Sequence, residues 1–387
     1  MSWPMVRLSQ VCSVLSGFAF KSDYFGDSGI PLVRIRDVMR GFSETYYSGE
    51  YDEQFIVNNN DILIGMDGDF NIAKWVGGEA LLNQRVCKIT PVPSIVDADY
   101  LYYFLPLKLK EIWDETAFVT VKHLSVKKIN DIEIPLPKLS IQKEISAMLR
   151  ASDSLRNQSK KMESELNALA RAVFLEMFGD PVCNTKRWPT KTLSQVVSIS
   201  SGGTPSKSND SYWQGDFPWV SPKDMKIDYL SDAKDHISDL VFEETNIKKI
   251  PEGTILVVVR GMILAHSIPL AMNLCDIAIN QDIKALTVCN DGIETEFLFH
   301  CLKNLKDHIL SKVSTAAHGT KRLDTPDLLG LEIIIPPLDL QYKYVEIMRK
   351  NARMLECYKQ SSLTNKQLFD SLMQRAFSGK LDLKKVA

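Results

Sequence analysis

The sequence predicts an α+β protein in which two pseudo-repeated mixed α/β domains are separated by two long helices pairing as an antiparallel coiled coil. Three observations carry that reading. The chain starts twice, as WPMVRLSQV at Trp3–Val11 and as WPTKTLSQV at Trp188–Val196. Each copy closes on Pro-x-Leu-x-x-Gln, at Pro137-Leu139-Gln142 and at Pro336-Leu338-Gln341. After each Gln, apolar residues recur at alternating steps of four and three, the pattern of a coiled-coil seam.

Between those landmarks the copies keep in step. Ser16-Gly17 falls on Ser201-Gly202, and Asp61–Ile64 resembles Thr254–Val257. LLNQRVCKIT (Leu81–Thr90) matches AINQDIKALT (Ala278–Thr287), sharing an Asn-Gln pair. TAFVTVKHL (Thr116–Leu124) matches TAAHGTKRL (Thr315–Leu323), and EIPLPKLSIQ (Glu133–Gln142) matches EIIIPPLDLQ (Glu332–Gln341). The spacing grows from 185 at the tryptophans to 199 at the glutamines, so insertions fall between matching blocks. A repeat of half a chain is a duplicated domain, far longer than a solenoid unit of ~20–50 residues.

Within each copy, β-branched runs punctuated by Gly, Pro, Asn and Asp, such as DILIGMDGDFNIAKW and GTILVVVRGMILA, read as irregular mixed domains at 1–135 and 181–335. Proline breakers then open the helical parts, 136–180 and 336–387. Ile145, Met148, Leu155, Met162, Leu166, Leu169 and Val173 mark the first seam; Tyr344, Ile347, Met354, Tyr358, Leu368 and Leu372 mark the second. Ser152, Asn351 and Asn365 interrupt it, as polar residues do when they fix register at a cost in stability. Gly179-Asp180-Pro181 and Gly379 end helices expected over Leu139–Phe178 and Leu338–Phe377, each about 60 Å long at 1.5 Å per residue.

Charge argues against a self-sufficient DNA clamp. The net charge is −2, and the two mixed domains carry 13 basic against 18 acidic residues and 16 against 19. Seven cysteines without a C-x-x-C pair predict reduced thiols and a cytoplasmic protein. The longest apolar run is broken by Arg260-Gly261, well short of a membrane span.

Catalytic patterns are missing. The sequence has no phosphate loop of the G-x-x-x-x-G-K-[ST] kind, no Gly-rich turn for a dinucleotide or S-adenosylmethionine, and no Asn/Asp-Pro-Pro-aromatic run. His300, Cys301 and His308 fit no zinc spacing, so His300 reads as part of an amphipathic helix. Ser201–Pro205 reads as a plain turn. Pro326-Asp327 with Glu332 lacks the lysine that would complete a nuclease set.

The ordered blocks resemble the specificity subunit of type I restriction–modification enzymes over essentially the full length. Besides the paired motifs above, GFAFKSDYF (Gly17–Phe25), PLVRIRDV (Pro31–Val38), ILIGMDGDFNIAKW (Ile62–Trp75), SGGTPSKSNDSYWQGDFPWVSPKDM (Ser201–Met225) and the run Val257–Leu286 look like that family's target-recognition domains. The resemblance implies a non-catalytic adaptor that binds no cofactor itself. Each target-recognition domain reads one half of a bipartite, asymmetric site in double-stranded DNA, and the helices set the spacer. Two modification (methyltransferase) subunits that use S-adenosylmethionine dock on the assembly, and motor–nuclease restriction subunits that use ATP and Mg²⁺ join for cleavage. The family's organisation is cyclic, its last helix leading back towards its first domain.

Base reading needs exposed basic, amide and hydroxyl groups on loops. The candidates are Lys21, Ser22, Arg34, Arg36, Asp69, Asn71 and Lys122 in the first domain. In the second they are Thr204, Ser206, Lys207, Lys223, Arg260, His266, Lys321 and Arg322. Lys122 and Lys321 recur before a Leu and so suit a shared phosphate contact. Asn83-Gln84 and Asn280-Gln281 are identical in the two copies, which suits turn chemistry, because readers of different half-sites should differ. Trp213 and Trp219 read as packing residues. Two other classes compete. A helical protein scaffold leaves two large mixed domains unexplained, and a stand-alone DNA-modifying enzyme needs motifs this chain lacks.

Overall fold

The computed structural model describes residues 3–116, 122–316 and 319–381. Residues 117–121 and 317–318, inside the Thr116–Leu124 and Thr315–Leu323 blocks, and the tail 382–387 lie outside them. The chain divides into two compact units, residues 1–161 with 358–387 and residues 162–357. The sequence order is domain, helix, domain, helix, with the helices expected to pair antiparallel; each unit takes half of each long helix. The cause is antiparallel pairing. In each unit the half of one long helix nearest its mixed domain packs with the opposite half of the other.

In the first unit, Met5–Arg7 pairs antiparallel with Glu133–Pro135, and Leu136 N–H donates to the Pro4 carbonyl at 2.8 Å. Leu8 N–H bonds Ile132 O (2.8 Å), and the Gln10 side chain accepts from Arg7 N–H (3.2 Å) while Leu8 and Val11 enter the core. The second unit repeats this joint. Thr190–Thr192 pairs with Glu332–Ile334, Ile335 N–H reaches Pro189 O (2.7 Å), Leu193 N–H reaches Leu331 O (2.8 Å), and Gln195 accepts from Thr192 N–H (3.0 Å). The duplicated Leu-Ser-Gln-Val is therefore a strand end, a one-turn helix and two core anchors. Each Trp indole closes a helix: Trp3 Nε1 donates to Ala376 O at 3.5 Å and Trp188 Nε1 to Phe178 O at 2.9 Å. Both carbonyls lie in a last turn without an intrahelical partner; Ala376 O also takes Gly379 N–H (3.4 Å), and Phe178 O is served by the Trp188 indole.

Each unit builds one sheet on the strand that follows its one-turn helix. In the first its order is Cys12–Ser16, Val86–Pro91, Ile62–Gly65, Ile72–Lys74, antiparallel throughout. In the second the order is Val197–Ser201, Ile283–Val288, Ile255–Val258, Leu270–Asn273 and Tyr229–Leu230, the last pair parallel. A second sheet in each, five-stranded in the first unit and three-stranded in the second, holds one parallel pair, Ile30–Val33 with Ala80–Leu82 and Phe217–Val220 with Ala278–Ile279. Ile62–Gly65 and Ile255–Val258 are buried at every position. They read as unbroken apolar runs because both faces are covered.

The long helices span Leu139–Phe178 and Leu338–Phe377. Their first turns are held by one buried amide each. Gln142 accepts from Asp97 N–H (2.9 Å) and donates to Ile95 O (3.1 Å) and Pro137 O (2.8 Å). Gln341 accepts from Glu294 N–H (2.8 Å) and donates to Gly292 O (3.0 Å) and Pro336 O (2.8 Å). Both side chains are fully buried, so each Gln locks a long helix to the start of a shorter one, Ala98–Glu115 or Thr295–Asn304.

The seam keeps part of the sequence pattern and departs from the rest. In the first unit the buried positions run through Ile145, Leu149, Ser152 and Ser159 and meet Phe369, Met373 and Ala376. In the second, Leu166, Phe174 and Phe178 are buried with Tyr344, Val345 and Met348; Tyr344 stands edge-on to Phe174 and Phe178 at centroid distances of 5.5 and 5.4 Å. Leu155, Leu169, Ile347, Met354 and Leu368, expected in the seam, are all more than 40% exposed. The expected polar residues sit inside. Asn365 Nδ2 donates to Ser159 Oγ (3.1 Å), Arg156 lies 4.5 Å over the Phe369 ring, and Asn351 Nδ2 donates to Leu166 O (3.1 Å). Ser152, Asn351 and Asn365 thus interrupt the seam as the spacing predicts, while the apolar positions between them shift by one residue, from Met148 to Leu149.

Candidate nucleic-acid interface

The exposed loops are built on a frame common to both units. Gly17 and Gly202 follow the strands Cys12–Ser16 and Val197–Ser201, where a Cβ would stand 2.1 Å from Asn83 O and 2.0 Å from Ile279 O. Only glycine permits that approach, which explains the repeated Ser-Gly. Asn83 and Asn280 are nearly buried; their amide N–H groups bond Val33 O (3.3 Å) and Val220 O (3.0 Å). Buried Asp37 and Asp224 each tie a turn, accepting from Arg34 N–H (3.0 Å) and Ser221 N–H (2.9 Å).

The first unit's candidates fall on three loops. Lys21 and Ser22 lie exposed at a one-turn helix after Phe20. Arg34 and Arg36 flank the turn that Asp37 holds; both are exposed, and Arg36 donates to Thr45 Oγ1 at 3.1 Å. Asp69 and Asn71 line a cleft of about 530 Å³ with Tyr102, Trp113 and Arg156. Lys122 is committed elsewhere: its ammonium donates to the Trp113 carbonyl and lies 3.6 Å over that ring.

In the second unit Thr204 Oγ1 donates to Gln281 Oε1 at 2.5 Å, joining the Gly-rich loop to the Asn-Gln turn. Ser206 bonds Ser208 (2.8 Å), and its carbonyl receives Trp213 Nε1 (3.1 Å). Lys207 and Lys223 border a cleft of about 640 Å³ with Trp213, Trp219 and Asp235, and Lys223 pairs with Asp235. The indoles meet edge-on at 5.2 Å, with Trp219 buried. His266 is exposed after the turn Met262–Ala265. Lys321 donates to Thr315 Oγ1 (2.8 Å), Arg322 pairs with Asp324, and Arg260 is exposed.

Sequence reasoning finds one place in the second unit, at Arg260 and Arg322, and misses it in the first. Gly68 N–H bonds Lys122 O and Gly261 N–H bonds Lys321 O, both at 3.0 Å, so the shared Lys-x-Leu segment has a main-chain duty in each copy. It forms an isolated bridge, Asp67 to His123 in the first unit and Arg260 to Arg322 in the second. Asp67, Arg85 and His123 meet there, and the signal was a mismatch between copies inside an otherwise matching frame.

His300 is buried against Phe299 and Tyr344. Burial, helped by the Lys303 ammonium and opposed by Asp228, lowers its pKa to about 4. It is neutral at ordinary pH. Among the described residues no three His, Cys, Asp or Glu side chains gather as for a metal, and no helix is long and apolar enough to cross a membrane.

Comparison with known proteins adds independent findings. Residues 2–168 and 185–363 match the family model of the type I restriction modification DNA specificity domain. The chain is 40% identical to the specificity subunit of type I restriction enzyme EcoBI of Escherichia coli, over 44% of this chain and 38% of that one. It is 27% identical to the EcoR124I/EcoR124II specificity subunit of Escherichia coli (73% and 70% covered) and 24% identical to the MjaVIII specificity subunit of Methanocaldococcus jannaschii (99% and 93%). Its fold is similar to the crystal structure of the S subunit from M. genitalium, with a TM-score of 0.64 at 16% identity, covering 97% and 96% of the chains. A chain from a study of complex assembly and conformational transition in the type I R-M system gives 0.56 at 17% identity, covering 98% of each.

Proposed function

This chain belongs to the type I restriction–modification DNA specificity family, and from that premise we propose that it is the DNA-reading, non-catalytic subunit of such a complex. Each unit reads one half of a bipartite site. The observation that carries this is the contrast between identical buried joints and divergent exposed loops. The Gln142 and Gln341 clamps agree bond for bond, whereas the turn held by Asp37 exposes Arg34 and Arg36 where the turn held by Asp224 has a buried Ser221 and an exposed Lys223. Modification subunits bring S-adenosylmethionine, and restriction subunits bring ATP and Mg²⁺ chemistry. Acidic residues outnumber basic ones in both mixed domains, so those partners also supply much of the phosphate clamp on which affinity depends. Exposed apolar helix residues, Leu155 and Leu368 in the first unit and Leu169, Ile347 and Met354 in the second, support helical docking of the modification subunits. The complex works in the cytoplasm.

The test is a domain exchange. Residues 1–135 are replaced by the matching domain of a relative, the complex is reassembled, and the methylated sequence is read. One half of the site changes and the other stays. A change in both halves would show that the units are not independent readers.

A further inference from the structure

Three pairs of positions are equivalent by main-chain bonding and opposite or different in charge. Met66 N–H bonds Arg85 O and Val259 N–H bonds Asp282 O, each at 2.8 Å. Leu124 N–H returns to Met66 O (2.7 Å) and Leu323 N–H to Val259 O (2.9 Å). These bonds superpose Asp67 on Arg260, Arg85 on Asp282 and His123 on Arg322. The backbone frame is kept, while carboxylate, guanidinium and imidazole become guanidinium, carboxylate and guanidinium.

The side chains behave differently on the two frames. In the first unit His123 Nδ1 donates to Asp67 Oδ1 at 2.6 Å, and Arg85 Nε lies 3.6 Å from Asp67 Oδ2. Asp67 thereby orients an exposed guanidinium beside an exposed imidazole, the three groups lying at one loop crossing. In the second unit Asp282 turns inward. It accepts from Asn280 Nδ2 (3.2 Å), and its own N–H bonds Asn280 Oδ1 (3.1 Å). Arg260 and Arg322 are left outward, Arg322 beside Asp324.

A structural brace would be expected to keep its charges between copies, as Gln142 and Gln341 keep their bonds. A position that distinguishes two half-sites must instead change. In the major groove a guanidinium suits the O6 and N7 acceptors of guanine, and a carboxylate accepts from the N4 amine of cytosine. Resting on the DNA-reading function argued above, we propose that these positions determine sequence specificity. Arg260 and Arg322 read guanine in the second unit's half-site, and Arg85 with Asp67 reads one G·C pair, guanine by the guanidinium and cytosine by the carboxylate, in the first.

The experiment selects from a randomised duplex DNA library with the full chain reassembled with its modification subunits. It compares wild type with Arg85→Gln, Asp67→Asn, Arg260→Gln and Arg322→Gln. Thermal unfolding of each variant is measured alongside, and His123→Gln serves as a second probe of the first cluster should Asp67→Asn unfold. The expected result is at least a tenfold loss of base preference at one or two positions, in the first unit's half for Arg85, Asp67 or His123 variants and in the second unit's half for Arg260 or Arg322. Variants that enrich the wild-type motif with unchanged base frequencies, only more weakly, would overturn the assignment and leave these groups as phosphate contacts. A wild-type complex that enriches no bipartite motif would overturn the DNA-reading function itself, and the assignment with it.

Discussion

At the start of Leu139–Phe178 the Gln142 amide makes three bonds, and at the start of Leu338–Phe377 the Gln341 amide makes the same three. Beyond the strands Ile62–Gly65 and Ile255–Val258, by contrast, Asp67 stands where its counterpart is Arg260. The first comparison concerns groups shut away from water, where a lost partner costs the full desolvation of what it served. The second concerns groups in solvent, where exchanging one charge for another costs the fold little. Duplicated domains can therefore diverge in what they touch only where the frame does not depend on the side chain. Beside each joint lies a smaller asymmetry. The second residue after Leu298 is His300, and the second after the equivalent Leu101 is Tyr103, both nearly buried.

The joints are tested by Gln142→Leu and Gln341→Leu. Each leaves one buried N–H and two carbonyls short of a partner, at ~1–3 kcal/mol for each group left unsatisfied, so roughly 3 kcal/mol or more is lost per variant. Urea unfolding gives the size, and amide exchange gives the place. Gln142→Leu loosens the first unit and Gln341→Leu the second. Unequal losses of more than about 1 kcal/mol between the two would break the equivalence of the joints.

Acid separates the units next. His300 has its pKa lowered to about 4 in the fold, against an ordinary 6.5. The unfolded chain therefore binds the proton first as pH falls. The stabilisation is complete above pH 6.5 and is lost progressively as pH drops towards 4, a total of about 3 kcal/mol. Calorimetry at pH 7 and 4.5 should show the second unit weakening, and His300→Tyr, which copies the first unit, should remove most of that sensitivity. Equal acid sensitivity in the variant would assign the effect to other groups.

The smallest effect concerns the paired lysines. Lys321 bonds a threonine hydroxyl at the surface, while Lys122 is held by Trp113. Lys321→Ala should lower the salt slope of DNA binding by about 1 with base preference unchanged. Lys122→Ala should lower it by less and cost ~0.5–1 kcal/mol of stability through the lost cation–π contact. Identical slopes would restore a common phosphate duty.

The sequence by itself determined the duplication, the mixed α+β class and the two helices, because all three follow from local patterns. Four-three spacing, proline and glycine punctuation, and repeated blocks need no knowledge of what packs on what. Tertiary structure alone decided which of the expected seam residues turned inward. Ser152, Ser159 and Asn351 lie in the seam with Leu155, Leu169 and Met354 outside, because burial follows from the partner surface as well as from hydrophobicity. The same holds at the loops. Asp67, Arg85 and His123 are separated by tens of residues and become one cluster only where a strand end and a distant loop exchange main-chain bonds. Periodicity is written within a few turns of chain, whereas a surface is assembled from loops brought together by folding.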